Sequence, residues 1–312
     1  MKKNIFIIFF ILTILPHVAT AQIKLPFSKW WEPAGLEIFK KAYPDIKFVS
    51  SYDKAQNDWI IHIFTPAREG RPATENELYW CEGRFLPKEK LGQKEKYRKM
   101  LYTYPKEVPD PKDFTEEDIE NIKNFTSKEN RANGPIDPPF LFNAIYDLGD
   151  RAKTEKHIKT YYFLDGKRTV NVHEDIYEPL KRVSQRIMQL EKDEEMQKFF
   201  STLERTDGFN WRSVRDTESR SFHSIGLAID ILPRGYYQKS IYWAWQKQWQ
   251  PDSWYMLPLE KRWSPPQRVI QIFEEEGFIW GGKWIVWDNM HFEYRPELIL
   301  HNKRCQIKLC DL

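Results

Sequence analysis

Ser221-Phe-His223-Ser-Ile-Gly226-Leu-Ala-Ile-Asp230 is the stretch on which the reading of this chain turns. A histidine stands near its head, and Gly226 permits a tight turn. The run Leu227-Ala-Ile-Asp-Ile-Leu232 then reads as a buried strand carrying a single carboxylate. A second piece follows downstream: Trp280-Gly-Gly-Lys-Trp284, then Asp288-Asn-Met-His291-Phe-Glu293, within an expected closing strand over 289–294. His223, Asp230 and His291 make a set of two imidazoles and one carboxylate. Such a set leaves the fourth tetrahedral position of Zn²⁺ open to water, whose pKa the metal lowers to about 7. Asp288, three residues before His291 on the approach to the strand, is placed to serve as the general base. Spacing alone does not carry the metal reading, because a histidine followed seven residues later by an aspartate recurs by chance.

Outward from these pieces, the expected elements mix. Asp58–Phe64 and Leu78–Cys81 read as strands, as do Tyr161–Phe163 and Thr169–Val172. Ile176, Leu180, Val183, Ile187 and Leu190 lie on one stripe of an expected helix over 175–203. Pro265-Pro266 opens a further helix that runs to Glu276 and stops at Gly277. Helices and strands alternate without βαβ regularity, so the expected class is α+β. Residues 85–135, dense in Lys, Glu, Pro and Asn, read as a long surface excursion. The organisation expected is a leader over 1–21, an aromatic-rich region of unassigned role over 22–150, and a catalytic domain over 151–312.

The leader reading rests on Lys2-Lys3, an apolar run from Ile5 to Leu15, and the small residues Ala19-Thr20-Ala21. The run is too short for a ~20-residue membrane span and Pro16 breaks it, so an exported protein, periplasmic or extracellular, is expected without stable membrane insertion. Loss of Lys2 and Lys3 with the leader lowers the net charge from +3 to +1, which offers no electrostatic case for nucleic acid. Cys81, Cys305 and Cys310 permit one disulfide in any pairing and lack the spacing of a zinc ribbon. There is no Gly-x-Ser-x-Gly elbow and no dinucleotide or phosphate-loop fingerprint.

The pattern Ser-x-His-x-x-Gly-x-Ala-x-Asp (Ser221 to Asp230), followed by Asp-x-x-His-Phe-Glu (Asp288 to Glu293), resembles the VanY-type D-alanyl-D-alanine carboxypeptidase family of zinc metallopeptidases. Trp280 to Trp284 is similar to the segment just ahead of the second motif in many members, and the likeness covers roughly 170–295. It implies a Hedgehog/DD-peptidase fold, an antiparallel sheet with flanking helices, and peptidoglycan stem peptides as substrate. It further implies His223, Asp230 and His291 as ligands of Zn²⁺ and Asp288 as catalytic acid/base. The family uses Glu in some branches and Asp in others, the shorter acid being that of the branch that cuts L-Ala–D-Glu, so D-Ala–D-Ala carboxypeptidase and L-Ala–D-Glu endopeptidase both stay open. Arg212 resembles the arginine that steadies the substrate carbonyl or oxyanion, with Arg220 as runner-up. Ser221 and Trp284 are candidate substrate-binding residues, although Ser221 could simply cap a turn.

Other residues carry blander expectations. His173 suits a helix start, His62 a packed or edge position, and His157 and His301 a solvated surface, while Glu293 suits anchoring His291. A non-catalytic module that binds cell-wall peptide or a protein on the same fold is the rival reading. A further option has the aromatic region 22–150 binding glycan.

Overall fold

Three antiparallel sheets joined by short helices make up the computed structural model, which describes residues 32–305. The expected leader over 1–21 and Cys310 lie outside the described residues, among which Cys81 is a buried free cysteine. Helix α1 (Leu36–Ala42) precedes a meander of β1 (Lys47–Asp53), β2 (Asp58–Thr65) and β3 (Thr74–Tyr79). Helices α2 (Glu116–Phe125), α3 (Lys128–Asn133), α4 (Phe140–Tyr146) and α5 (Arg151–Glu155) lead to a hairpin of β4 (Ile158–Phe163) and β5 (Arg168–His173). Then come α6 (Tyr177–Met188), α7 (Glu194–Thr202), β6 (Leu203–Asp207) and β7 (Ala228–Pro233). The chain closes with α8 (Trp243–Trp249), α9 (Gln267–Glu275), β8 (Phe278–Trp280), β9 (His291–Tyr294) and α10 (Pro296–Cys305). The architecture is α+β, as expected.

The third sheet has the order β6-β7-β9-β8, and it builds the site. Strand β7 lies between two neighbours and every residue of it is buried, which its near-continuous apolar run anticipates. Helix α9 lays Val269, Ile270 and Phe273 inward, and Phe273 stacks on Phe292 of β9 with ring centroids 3.9 Å apart. One apolar core runs from Leu36 and Phe39 through Val172 and Ile176 to Phe273 and Phe292, so β1–β3 and the third sheet bury surface in common.

Three expectations are corrected. The helix expected over 175–203 is two, because the Asp193 carboxylate accepts from the Glu195 and Met196 amides and starts α7 afresh. Residues 85–135 are not only surface: Phe85, Leu86, Met100, Tyr104 and Ile122 are buried. The Tyr104 hydroxyl donates to Glu274 at 2.6 Å and accepts from the Trp280 amide at 2.9 Å, tying this segment to β8. His157 and His301 are buried rather than solvated; His157 Nδ1 lies 3.1 Å from Glu174 and its Nε2 3.4 Å from Asp147. His173 holds the start position expected of it, its Nδ1 accepting from the Asp175 amide at 3.2 Å. No helix among the described residues is long and apolar enough to cross a membrane.

Candidate metal centre

Register brings the first two groups together. In the β7–β9 ladder Asp230 stands directly opposite His291, and Ala228 opposite Glu293. Side chains of alternate residues share a face, so Asp230, His291 and Glu293 project from the same side of the sheet. His223 enters from a short turn over Phe222–Ile225 that Gly226 closes at φ 70°. There the backbone lies so close to β5 that the Gly226 carbonyl accepts from the His173 amide at 2.9 Å.

The three side chains form a near-equilateral triangle of donor atoms. His223 Nε2 lies 3.1 Å from Asp230 Oδ1 and 3.0 Å from His291 Nδ1, and the last two are 2.9 Å apart. Four donors placed tetrahedrally around Zn²⁺ at about 2 Å stand about 3.3 Å from one another, which this triangle approaches. The outer nitrogens set the tautomers. His223 Nδ1 lies 2.6 Å from the Gly208 carbonyl, and His291 Nε2 lies 3.0 Å from the Glu293 carboxylate; neither partner can donate, so each nitrogen carries the proton. In the neutral rings this leaves a lone pair on both inner nitrogens, facing each other and a carboxylate. A proton on His291 Nδ1 or a cation among the three atoms relieves the repulsion between them, and the three donors at this spacing fit a divalent metal.

Charge follows the same logic. Burial disfavours the charged imidazolium of His291, but the carboxylates of Asp230 and Glu293 outweigh it and lift this pKa well above the usual value. Burial also opposes charge on Asp230, yet the two imidazoles hold its carboxyl well below the ordinary range. The cluster favours positive charge at its centre. Asp288 behaves oppositely: burial, with the nearby Asp230 carboxylate, pushes it up to about 7 against the pull of His291 and Arg212. Its Oδ1 is buried without a hydrogen-bond partner. Gly281 makes room for it, since a Cβ there would stand 2.6 Å from the Asp288 carbonyl oxygen and 3.2 Å from its Cβ.

The remaining candidates separate. Arg212 is exposed; its charge reaches Asp288, and its carbonyl accepts from the Ser221 amide at 3.2 Å. Arg220 is held elsewhere, donating to Asn143 Oδ1 at 3.2 Å and the Gly149 carbonyl at 2.9 Å, with its guanidinium over Trp211. Trp284 sets its ring 5.6 Å from that of His291, with a buried indole N–H that meets no acceptor. Ser221 is buried and its side chain makes no capping bond. Glu293 anchors His291, as expected.

Two contributors escape sequence reasoning. The Gly208 carbonyl that orients His223 is backbone, although its glycine is required: a Cβ at that position would stand 2.1 Å from the Asn171 oxygen. Tyr242 pairs its backbone with Asp288 across an isolated bridge, and no motif marks it.

Residues 35–102 match a family described as a domain of unknown function (DUF8518). No curated protein and no solved structure matches the chain. Residues 214–294 match a family described as D-alanyl-D-alanine carboxypeptidase, which suggests a hydrolase of the peptidoglycan-related kind. That segment contains His223, Asp230, Asp288 and His291, while Arg212 lies just before it. This match supports a likeness of residues 214–294 to the VanY-type D-alanyl-D-alanine carboxypeptidase family.

Proposed function

We propose that the protein is an exported zinc metallopeptidase that hydrolyses peptide bonds in peptidoglycan stem peptides, with a Hedgehog/DD-peptidase-type domain over 151–312 preceded by the region 22–150. The observation that carries the reading is the triangle of His223, Asp230 and His291 donor atoms beside the buried Asp288 carboxyl. Two imidazole nitrogens and one carboxylate oxygen suit Zn²⁺, with a further position for water. His223, Asp230 and His291 would hold it, and the ion would acidify a water molecule and polarise the carbonyl under attack.

The chain's own residues do the rest. Asp288, lifted by burial, takes a proton from the attacking water and later delivers it to the leaving amine. The two roles need a group that takes and releases a proton readily, and burial, which raises the Asp288 carboxyl above the ordinary carboxylate range, favours that exchange. Arg212 offers a guanidinium to the oxyanion that develops on the scissile carbonyl. Trp284 forms an apolar wall beside His291, and Ser221, at the start of the His223 turn, is the second candidate for binding substrate. The scissile bond is D-Ala–D-Ala, or L-Ala–D-Glu in the endopeptidase alternative.

The test is mass spectrometry of muropeptides incubated with zinc-loaded protein and with a chelator-treated control. Loss of a terminal D-Ala, or a cut at L-Ala–D-Glu, in the zinc sample only is the expected result. Asp288→Asn should keep the zinc and lose at least about a hundredfold in turnover. Unaltered muropeptides in the presence of one zinc per chain would reject the enzyme and leave a binding module.

A further inference from the structure

Away from the metal centre, the segment from Gly235 to Arg262 carries features that neither the triangle nor its base uses. Helix α8 has three tryptophans with unlike fates. Trp243 is buried with Trp254 and Trp287 in a second apolar cluster. Trp245 and Trp249, four residues apart and so on one helix face, are 36% and 83% exposed. An indole that open to water gives up most of the burial free energy its size offers, so a partner that covers it is favoured.

Beside this face runs a groove of about 500 Å³ lined by Gln238, Ser240, Gln246, Gln250 and Ser253, with Lys239 and Lys261 at its sides. No carboxylate lines it. Its polar groups are already oriented: the Ser240 hydroxyl donates to Gln246, whose amide donates to Gln250 Oε1 at 3.0 Å. The relay holds the Ser240, Gln246 and Gln250 side chains in place along the groove. Aromatic contacts and one backbone bridge lead from α8 to the metal centre. Trp245 meets the edge of Tyr242 at 5.6 Å and lies 5.7 Å from Tyr236, and Tyr242 pairs its backbone with Asp288.

A flat aromatic platform next to neutral amides and hydroxyls is suited to a pyranose ring. The C–H face of the sugar stacks on indole while its hydroxyl and acetamide groups exchange hydrogen bonds with glutamine and serine. Two lysines and no acids suit a chain that bears occasional carboxylates. We propose that the groove beside α8, together with the adjoining exposed indoles of Trp245 and Trp249, is a binding site for an N-acetylated sugar chain. It holds the glycan strand of the substrate while the attached peptide occupies the metal centre, an extension that rests on the peptidoglycan reading above.

The experiment titrates the full chain with chitotetraose, an N-acetylglucosamine oligomer, by calorimetry and by quenching of tryptophan fluorescence. Saturable binding is expected, weakened about tenfold or more in Trp249→Ala and partly restored in Trp249→Phe, in line with the weight a stacked tryptophan carries at binding sites. Circular dichroism of the variants confirms that they fold. Absent binding by the wild type, equal affinity in Trp249→Ala, or equal binding of maltotetraose, which lacks acetamides, would each overturn the assignment. So would a dimer that Trp249→Ala dissolves, which would give the face to a second copy of the chain. A second measurement compares kcat/KM for glycan-linked and free stem peptides. Their ratio should fall about tenfold in Trp249→Ala. If neither peptide is cut, the peptidase reading fails while the sugar titration still decides the groove.

Discussion

Replacing Gly226 by alanine tests how closely the His223 turn must approach β5. Gly226 has φ +70°, and an added Cβ would stand 2.5 Å from Ile158 Cδ1, 2.6 Å from the His173 backbone nitrogen and 3.2 Å from His173 Cβ. The isoleucine methyl can swing aside. The His173 amide cannot, because it belongs to β5 and donates to the Gly226 carbonyl at 2.9 Å. A left-handed alanine costs about 1 kcal/mol, loss of that hydrogen bond about 1 kcal/mol, and the overpacking about 1–3 kcal/mol. The sum, about 3–5 kcal/mol, is a large part of the 5–15 kcal/mol by which a typical domain is stable. Gly166 supplies the control, with φ +71° and nothing within 4 Å of an added Cβ, so Gly166→Ala should cost only the conformational part. Urea unfolding in the presence of chelator measures both variants without a contribution from metal, and zinc competition titration then reads the aim of His223. Gly226→Ala should lose at least about 2 kcal/mol more than Gly166→Ala, and it should also bind zinc more weakly. Equal losses in the two variants, with equal zinc affinity, would refute the argument from close approach.

Three further outcomes are expected. Glu293→Ala frees the outer nitrogen of His291, and metal affinity measured by competition with a chromophoric chelator should fall about 10–100-fold. The acidic limb of kcat/KM should reflect Asp288, active once deprotonated: burial raises it to about 7, bound Zn²⁺ would bring it lower, and Arg212 already lowers it, so Arg212→Lys should hold the limb and Arg212→Ala should move it to higher pH. A limb that stays put in Arg212→Ala would remove that coupling. His173 is buried and its pKa is pushed down to about 4, chiefly by desolvation. The unfolded chain therefore binds the extra proton between about 6.5 and 4, and stability should fall across that window by an amount on the order of 3 kcal/mol, a slope that His173→Asn flattens in chelator-treated unfolding titrations.

What could be read in advance was local. The apolar run of β7, the amphipathic period of α9 behind Pro265-Pro266, and the strand His291-Phe-Glu-Tyr294 each carry their own signal within a few residues. The three metal-ligand candidates could be named because their residue types are few and their motifs resemble a family. The pairing that joins them could not be read. Asp230 meets His291 only because β7 and β9 adopt one register, a non-local choice decided by the whole sheet. His157 shows the same limit from the other side. Its charged neighbours in sequence suggest solvent, but Asp147 and Glu174 arrive from other elements and make burial tolerable. Asp193 breaks the expected long helix because a capping carboxylate competes with a hydrophobic stripe that runs on past it, and stripe counting alone does not see the cap.

The strand behind the site explains why the ligand turn holds its shape. Asn171 and His173 of β5 grip the two ends of the segment that aims His223. The Asn171 carbonyl accepts from the Phe209 amide at 2.6 Å and sits against Gly208, whose own carbonyl meets His223 Nδ1. Two residues further on, the His173 amide holds the carbonyl of Gly226, which closes the turn. His173 is in turn fixed, its Nε2 lying 3.0 Å from the Tyr146 carbonyl and its Nδ1 accepting from the Asp175 amide. Asp175 is paired with Arg71, and Arg71 follows directly on the bend beyond β2. An imidazole that must present one lone pair to a metal within a few tenths of an ångström needs such a chain of fixed contacts, because its own two torsions would otherwise let it wander. The residues that name the site lie between 221 and 293, but the rigidity that makes it a site is supplied by elements reaching back to Arg71.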